Sequence, residues 1–554
     1  MKLKIFKKTV LYAALFASAS IGMSSCTDLD ETVYSELPEE ELTVEMQRDI
    51  MGYLFDRIND MYSGWEGYQD LCDESADLLL TPQRKDGWGV YYVNLHTHEF
   101  IPETGHYGRI WNACTSGINA CNQLLDIENV HEDATLVAEL RTYRAFFLYI
   151  MFDVFRNIPV ETTFNVPEGY MPEQKEPKWT YDFIVNEVEE SKPALGTENK
   201  WGQINYYGAC MLLAKMYLNH DAWFPNEKSN EYYQKACDQV NEIINDGPYT
   251  LAATYKEPFS AKNQSSETIF AIPHEKDKNG NGTNYFCKWY SPGANKIFGL
   301  SYAETWNGSA GIPQFIATYD SDDTRKSDTW RWGVQHDQQG NVIYVDGKEL
   351  NYSVEVTSAR MAFDMEGARM QKYEIVSGDV GISNDPIPFF RLTDAYFIKA
   401  ECLLRLGGYK GETEQDAADI VTMIRQRAFR DNPEKAVRTV AQLKGGSVYD
   451  YGQRYTSGEF DTNEGVVINP VFNETHEGGD DIILGGLLDD LAWEFVYEHH
   501  RRQDLIRFTM TNGMNVYNGK SWFTKLAEAD RKHDIMPIND GIIRANPKLK
   551  QNPY

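Results

Sequence analysis

Apolar residues recur along much of this chain at the three- and four-residue intervals that place them on one face of a helix. Leu136, Leu140, Tyr143, Phe147 and Ile150 form one such stripe, which Arg156-Asn157-Ile158-Pro159 brings to an end. Tyr207, Met211, Ala214 and Leu218 form a second and Tyr233, Ala236, Val240 and Ile243 a third, with a loop containing Pro225 between them. Ala395, Ile398, Cys402 and Leu406 make a fourth, stopped by Gly407-Gly408, and Ala417, Ile420, Ile424 and Ala428 a fifth. The segment 248–390 instead mixes Gly, Asn, Asp and aromatic residues with little helical period, which predicts loops and short strands. A second irregular stretch, 444–485, contains a Gly-Gly-Asp-Asp turn at 478–481. The predicted fold class is mainly α, a scaffold of helical hairpins with large loop-rich insertions and a few short strands.

The paired helices in 204–246 and 391–430, with small residues at their crossing points, resemble tetratricopeptide hairpins. About 190 residues separate the two pairs, so they are not tandem repeats in sequence.

The first 31 residues bear on location. Lys2, Lys4, Lys7 and Lys8 precede a short run of apolar and small residues, Val10 to Gly22. That run falls well short of the roughly 20 residues needed to cross a bilayer, so it predicts an export signal. Ser24, Ser25 and Cys26 then resemble a bacterial lipoprotein box, which implies a signal peptide over 1–25 and acyl chains on Cys26. At about 0.8 kcal/mol per buried methylene, several chains hold a protein on a membrane without a spanning helix. An acidic tether follows over 26–40, and its Asp28, Asp30 and Glu31 resemble the tag that sends such lipoproteins of Bacteroidetes to the cell surface. A secretory signal with a chance cysteine is the plainer alternative. The remainder, 41–554, is expected to be one domain.

Composition narrows the choice of ligand. The chain has 53 basic and 83 acidic residues, a net charge of −30. A nucleic-acid partner needs a basic face, so none is expected, and an anionic ligand is disfavoured on the same ground. Apart from Cys26, seven scattered cysteines (Cys72, Cys114, Cys121, Cys210, Cys237, Cys287, Cys402) predict buried free thiols, with a Cys114–Cys121 disulfide left open by spacing. The sequence has no C-x-x-C pair, and no metal or cofactor is indicated. Aromatic residues reach 13%, with 12 Trp, 34 Tyr and 26 Phe.

Four further segments resemble the SusD/RagB family of outer-membrane nutrient-binding lipoproteins. ELRTYRAFFLYIMFDVFRNIPV (139–160) is similar to an early family helix with its R-A-Y/F-x-Y pattern and G/R-N-x-P exit. PIPFFRLTDAYFIKAECLLRLGG (386–408) is similar to a Pro-x-x-R-L-x-x-A-Y-x-x-x-A-E segment, and LAWEFVYEHHRRQDLIRF (491–508) to a late helix bearing E-x-x-R-R-x-D-L-x-R. IMPINDGIIRANPKLKQNPY (535–554) resembles the family's ending, with Gly541-Ile542 where Glu-Ile is usual and the last Gly missing. On the late helix, Glu498 is expected to reach Arg501 and Arg502 at i+3 and i+4, with Asp504 and Arg507 extending an ion-pair row of structural character. The resemblance implies a non-catalytic glycan-binding protein on the outer membrane, delivering its catch to a SusC-like TonB-dependent transporter.

A sugar site needs flat rings for the apolar sugar faces and directional polar groups for the hydroxyls. Three loops hold that mixture: Asp73–Trp88 followed by Tyr91 and Tyr92; 279–290 with Asn284, Tyr285, Trp289 and Tyr290; and 304–311 with Trp306 and Asn307. In the family's starch-binding member the corresponding loops carry an aromatic arc. The resemblance therefore implies a ligand-binding role for Trp88, Tyr285 and Trp306, with Trp289, Tyr290 and Asn307 as neighbours. Packing beneath its own loop is the alternative for each ring.

Competing functions have weaker support. A surface glycoside hydrolase would need two carboxylates at a set separation, and no motif marks a pair among the 83 acids. His96-Thr97-His98 with Glu99 could seed a metal site from one face of a strand, but lacks a third placed ligand. Residues 277–288 imitate a calcium loop, yet position twelve is Lys288 where a bidentate Glu is required. A peptide or other nutrient as ligand, and a purely structural scaffold, are the remaining alternatives.

Overall fold

A computed structural model describes residues 48, 51–84, 88–200, 202–261, 265–272, 285–300, 304–377, 387–461, 466–526 and 529–554. The side chains of residues 285–286, 455–461, 466–470 and 472 are not part of that description. The signal peptide, Cys26, the acidic tether and Asn284 all lie outside the described residues, as does most of the calcium-loop imitation.

Helices α1 (Gly52–Tyr62), α2 (Tyr68–Glu74) and α3 (Val90–His96) lead into the long antiparallel hairpin α4 (Gly105–Leu125) and α5 (Ala134–Phe155). Asp133 caps α5 by accepting from the Thr135 and Leu136 amides, and α5 is buried on almost every side from Thr142 onward. Arg156 ends it at φ 59°. Helix α6 (Pro177–Ser191) packs on α5, and α7 (Tyr206–Leu218) with α8 (Asn230–Asp246) forms the first predicted hairpin. Strand β1 (Thr268–Ile272) pairs with β2 (Ile387–Arg391), which runs straight into α10 (Leu392–Leu406) after the short α9 (Tyr285–Trp289). Gly407 closes α10 in the left-handed region, and a Thr413–Asp416 capping box opens α11 (Glu414–Gln426).

Helix α8 packs against both α7 and α10, so the two hairpins, far apart in sequence, stack as neighbours in space. The insertion between them returns to its starting point through the β1–β2 pair. All seven described cysteines are buried and free. No described helix is long and apolar enough to cross a membrane.

Two expectations need correction. The stretch 444–485 contains a long hairpin, β3 (Gly452–Asp461) with β4 (Val466–Glu474), and β3 also pairs in parallel with β5 (Trp522–Phe523). Its alternation was masked by Gly, Asn and Pro within the strands. The late helix is two helices, α12 (Gly485–Phe495) and α13 (Arg501–Arg507), broken by Tyr497 and His499 at φ 63° and 60°.

Side-chain donors occupy the carbonyls at that break. Lys372 Nζ donates to the Glu494 and Val496 carbonyls at 2.9 Å each, and the Tyr373 hydroxyl to that of Tyr497 at 2.9 Å. Glu498 is thereby turned away from Arg501 and Arg502, and it binds Arg391 and Lys372 instead. Arg501 pairs with Asp77 and Arg502 with Asp153, while Arg507 reaches both Asp504 and Glu401. The row anticipated along one helix is a buried web joining distant segments, and only Asp504–Arg507 follows the predicted spacing.

Candidate functional site

Four loops meet on one face. Arg109 ties the first down by donating to the carbonyls of Asp60, Ser63 and Trp65. Trp65 projects from this turn between Gly64 and Gly67 and is 37% exposed. The second loop carries Trp88 and enters α3 with Tyr91 and Tyr92. The third is α9 and the residues after it, and the fourth is 304–308.

Backbone hydrogen bonds bind the last two together. The Trp306 amide donates to the Cys287 carbonyl at 2.7 Å, Asn307 to Tyr290 at 3.0 Å, and Gly308 to Lys288 at 2.7 Å. Arg84, fully enclosed, donates to the carbonyls of Asn307, Gly308, Phe363 and Glu366. Burial, with Arg369 nearby, pushes its pKa well below that of an ordinary guanidinium.

The rings on this face touch. Trp65 and Trp306 meet edge to face at 5.5 Å between centroids, and the Trp65 indole N–H donates to the Tyr91 hydroxyl. Tyr91 lies 4.6 Å from Tyr92, and Trp88 lies 5.8 Å from Tyr92 on another side. Trp88 and Trp306 are half-buried, each held on its inner side. Such a floor of rings offers apolar area at little conformational cost.

Beneath it is a charged layer. Lys288 Nζ sits 3.8 Å from the Tyr92 ring centroid and pairs with Asp70 at 2.7 Å and Glu74 at 3.1 Å. Asp70 also accepts from His106 at 2.8 Å and from the Tyr92 hydroxyl. Burial alone would raise the Asp70 pKa, but Lys288 and His106 hold it well below the usual carboxylate range. Burial and the Asp70 charge raise the Tyr92 phenol far above its ordinary value.

The sequence-predicted residues divide in two. Trp88 and Trp306 come together at the floor. The backbone of Tyr285 opens α9 beside them, and its ring lies outside the described side chains. Trp289 and Tyr290 belong to the core, 1% and 0% exposed, and this corrects their expected place among the ligand rings. Trp289 packs on Tyr497 at 4.6 Å, and the Tyr290 hydroxyl donates to the Met370 carbonyl at 2.7 Å. Tertiary contacts draw both rings inward, which the aromatic run alone could not reveal. Asn307 is also turned inward, donating to Asp364 at 3.1 Å with φ 56°, so it shapes the loop and is not presented to a ligand.

His96 and His98 are on and just after α3, not on a strand, and both are buried. Among the described residues, no group of three or more His, Cys, Asp or Glu is disposed to hold a metal ion. Sequence reasoning missed Trp65, whose one available signal was a tryptophan set between glycines in Gly-Trp-Glu-Gly. It placed Asp73 and Glu74 at the start of its first loop without giving them or Asp70 a role, although the i, i+3, i+4 spacing sets the three acids on one side of α2.

The sequence pattern of the SusD family matches residues 253–554, more than half of the chain. The chain belongs to the SusD family. It is 23% identical over 460 residues to the starch-binding protein SusD of Bacteroides thetaiotaomicron, covering 75% of this chain and 72% of that one. Among solved structures, a SusD superfamily protein from Parabacteroides distasonis shares the fold with a TM-score of 0.67 at 17% identity, over 92% of this chain and 99% of the other. Surface glycan-binding protein A from Bacteroides thetaiotaomicron, solved in complex with laminarihexaose, aligns with a TM-score of 0.63 at 18% identity, again over 92% and 99%. In this SusD-family chain the described parts of the family-like segments 386–408 and 491–508 build the buried Arg391–Glu498 web.

Proposed function

We propose that this chain is a non-catalytic, cell-surface glycan-binding protein that captures neutral oligosaccharide or polysaccharide on the floor formed by Trp65, Trp88, Tyr91 and Trp306. The observation carrying this reading is the convergence of rings from three sequence-distant loops on one face, each fixed from behind by backbone and guanidinium hydrogen bonds. Rigid platforms of this kind lose little entropy on binding, and each stacked sugar adds on the order of 1 kcal/mol. Affinity is then modest per residue and grows with chain length through multivalent contact.

Anchoring by acyl chains on Cys26 and delivery to a SusC-like TonB-dependent transporter in the outer membrane complete the proposal.

Affinity electrophoresis against a panel of neutral glycans tests the reading. Wild type should be retarded by at least one polymer, leave it intact, and lose retardation in Trp306→Ala without loss of fold. Release of shortened product would establish a glycoside hydrolase instead. Unchanged retardation in Trp306→Ala would remove this face from the site.

A further inference from the structure

Behind the ring floor is a cavity of about 10 Å³ lined by Gly64, Gln69, Asp70, Asp73, Lys288, Trp289 and Tyr497. That volume holds one water-sized group. Of its lining residues, Gly64 and Asp70 are only partly buried, and Gly64 immediately precedes the exposed Trp65. Asp73 is 2% exposed and lines it, and neither of its carboxyl oxygens has a hydrogen-bond partner. The His499 backbone N–H is directed at Asp73 without reaching hydrogen-bond geometry. A buried carboxyl in this condition is rare, because leaving a buried acceptor unmade costs about 1–3 kcal/mol.

Tyr497, which also lines the cavity, is a non-glycine residue at positive φ, as is His499 two residues on, and such strain clusters at ligand sites. Three acids (Asp70, Asp73, Glu74) share the region with Lys288, and Lys372, which also acts on Asp73, is bound to Glu498 and to the Glu494 and Val496 carbonyls. Lys288 is already committed to Asp70, Glu74 and the Tyr92 ring. A hydrogen-bond donor of about the size of a water molecule, preferably a positive one, would satisfy the Asp73 oxygens. The acids are not disposed as a metal-ligand set, which favours an organic cation.

We propose that this cavity is a subsite for one primary ammonium group carried by the captured glycan, that is, for an amino sugar whose nitrogen is not acetylated. The inference rests on the glycan-binding reading above and departs from it in one respect: among the sugars this face captures it prefers one that carries a charged amine. Stacking on Trp306 and Trp65 would hold the ring while the nitrogen enters beside Gly64 and donates to Asp73. Burial, with Glu74 and Asp70 nearby, raises the Asp73 pKa well above the carboxylate range. Pairing with an ammonium favours the charged carboxylate, so binding would release to solvent the proton that burial favours on Asp73.

Calorimetry on the full chain tests this with three matched probes: a disaccharide of 2-amino-2-deoxyglucose, its N-acetylated form and its all-hydroxyl counterpart. A charge-assisted hydrogen bond predicts a preference of roughly tenfold or more for the amine. Asp73→Asn should abolish that preference, with Asp73→Ser as a second variant if the first does not fold. In wild type, titrations at about pH 6 in two buffers of different ionisation enthalpy should show proton release with the amine probe and none with the hydroxyl probe, since the amine is fully charged there. Equal affinity for amine and hydroxyl probes, or a preference that survives in folded Asp73 variants, would overturn the inference. If the neutral probe binds through Trp306 without an amine preference, only this inference falls. If no glycan of any kind binds, the function proposed above falls with it.

Discussion

Gly308 lies so close to the Trp88 indole that a Cβ on it would be 2.9 Å from the ring and 2.6 Å from the Lys288 carbonyl. Trp88 is thus seated on a backbone surface that only glycine leaves free. Gly308→Ala should displace the ring or the 304–308 loop, at a cost of about 1–3 kcal/mol for overpacking. The expected outcome is a lower Tm together with weaker glycan retention. A variant with unchanged retention would show that the Trp88 position is not part of the binding face.

Trp65 and Trp306 touch edge to face, so their contributions to binding should not add. Trp65→Ala and Trp306→Ala should each weaken retention, and the double variant should lose less than the sum of the two. A coupling of about 0.5–1.5 kcal/mol is expected for such a ring pair beyond area alone. Titration of all four proteins against one oligosaccharide measures it. Strict additivity would mean that each ring holds a separate sugar without support from the other.

Much of the scaffold could be read from the sequence because its signal is local. The stripe Leu136–Ile150 and the stop at Gly407 are set by residues within a turn or two of each other, and helices appear where they indicate. The site was half legible for the opposite reason. Composition found the loops bearing Trp88 and Trp306, but ring direction depends on tertiary contacts such as Trp289 against Tyr497 and Tyr290 against the Met370 carbonyl. Trp65 was missed because α1 and α2 flank it closely and leave a turn too short to look like a loop. The Glu498 pairing failed because helix spacing was applied across a break that Lys372 and Tyr373, over 120 residues away, help to create.

That break makes Arg391 a sensitive position. Its guanidinium donates to Glu498 at 2.7 Å and to Glu267 at 2.7 Å, and it also reaches Glu494, with all four groups buried. Burial opposes its charge, yet the three carboxylates raise its pKa well above the normal value. Burial likewise opposes ionisation of Glu494, which Arg427, Arg391 and Arg325 nevertheless hold at about 2. Arg391→Leu removes the cation and leaves buried acids undercompensated, which typically costs about 3–5 kcal/mol. Urea unfolding should show that loss. Loss of only a few tenths would mean that Arg427 and Lys372 suffice to neutralise the web.

His96 connects the fold to pH. It is buried at the end of α3 with neither ring nitrogen hydrogen-bonded, and burial lowers its pKa to about 3. The unfolded chain takes up this proton near 6.5, so between about 6.5 and 3 the unfolded state binds more protons and stability falls as pH falls. Such a site costs about 1.4 kcal/mol for each pH unit in that window. His98, lowered to about 3 mainly by burial, adds a second contribution of the same sign. Asp489 works the other way: burial raises it to about 7, so its folded form takes up a proton before the unfolded chain does and resists acid. His96→Phe isolates one term, since the Phe523 ring already packs edge-on at 6.3 Å. Stability at neutral pH should change little, while the slope of unfolding free energy against pH between about 6 and 4 should lose about one proton relative to wild type. Parallel slopes in the two proteins would show that His96 is protonated in the folded state throughout that range.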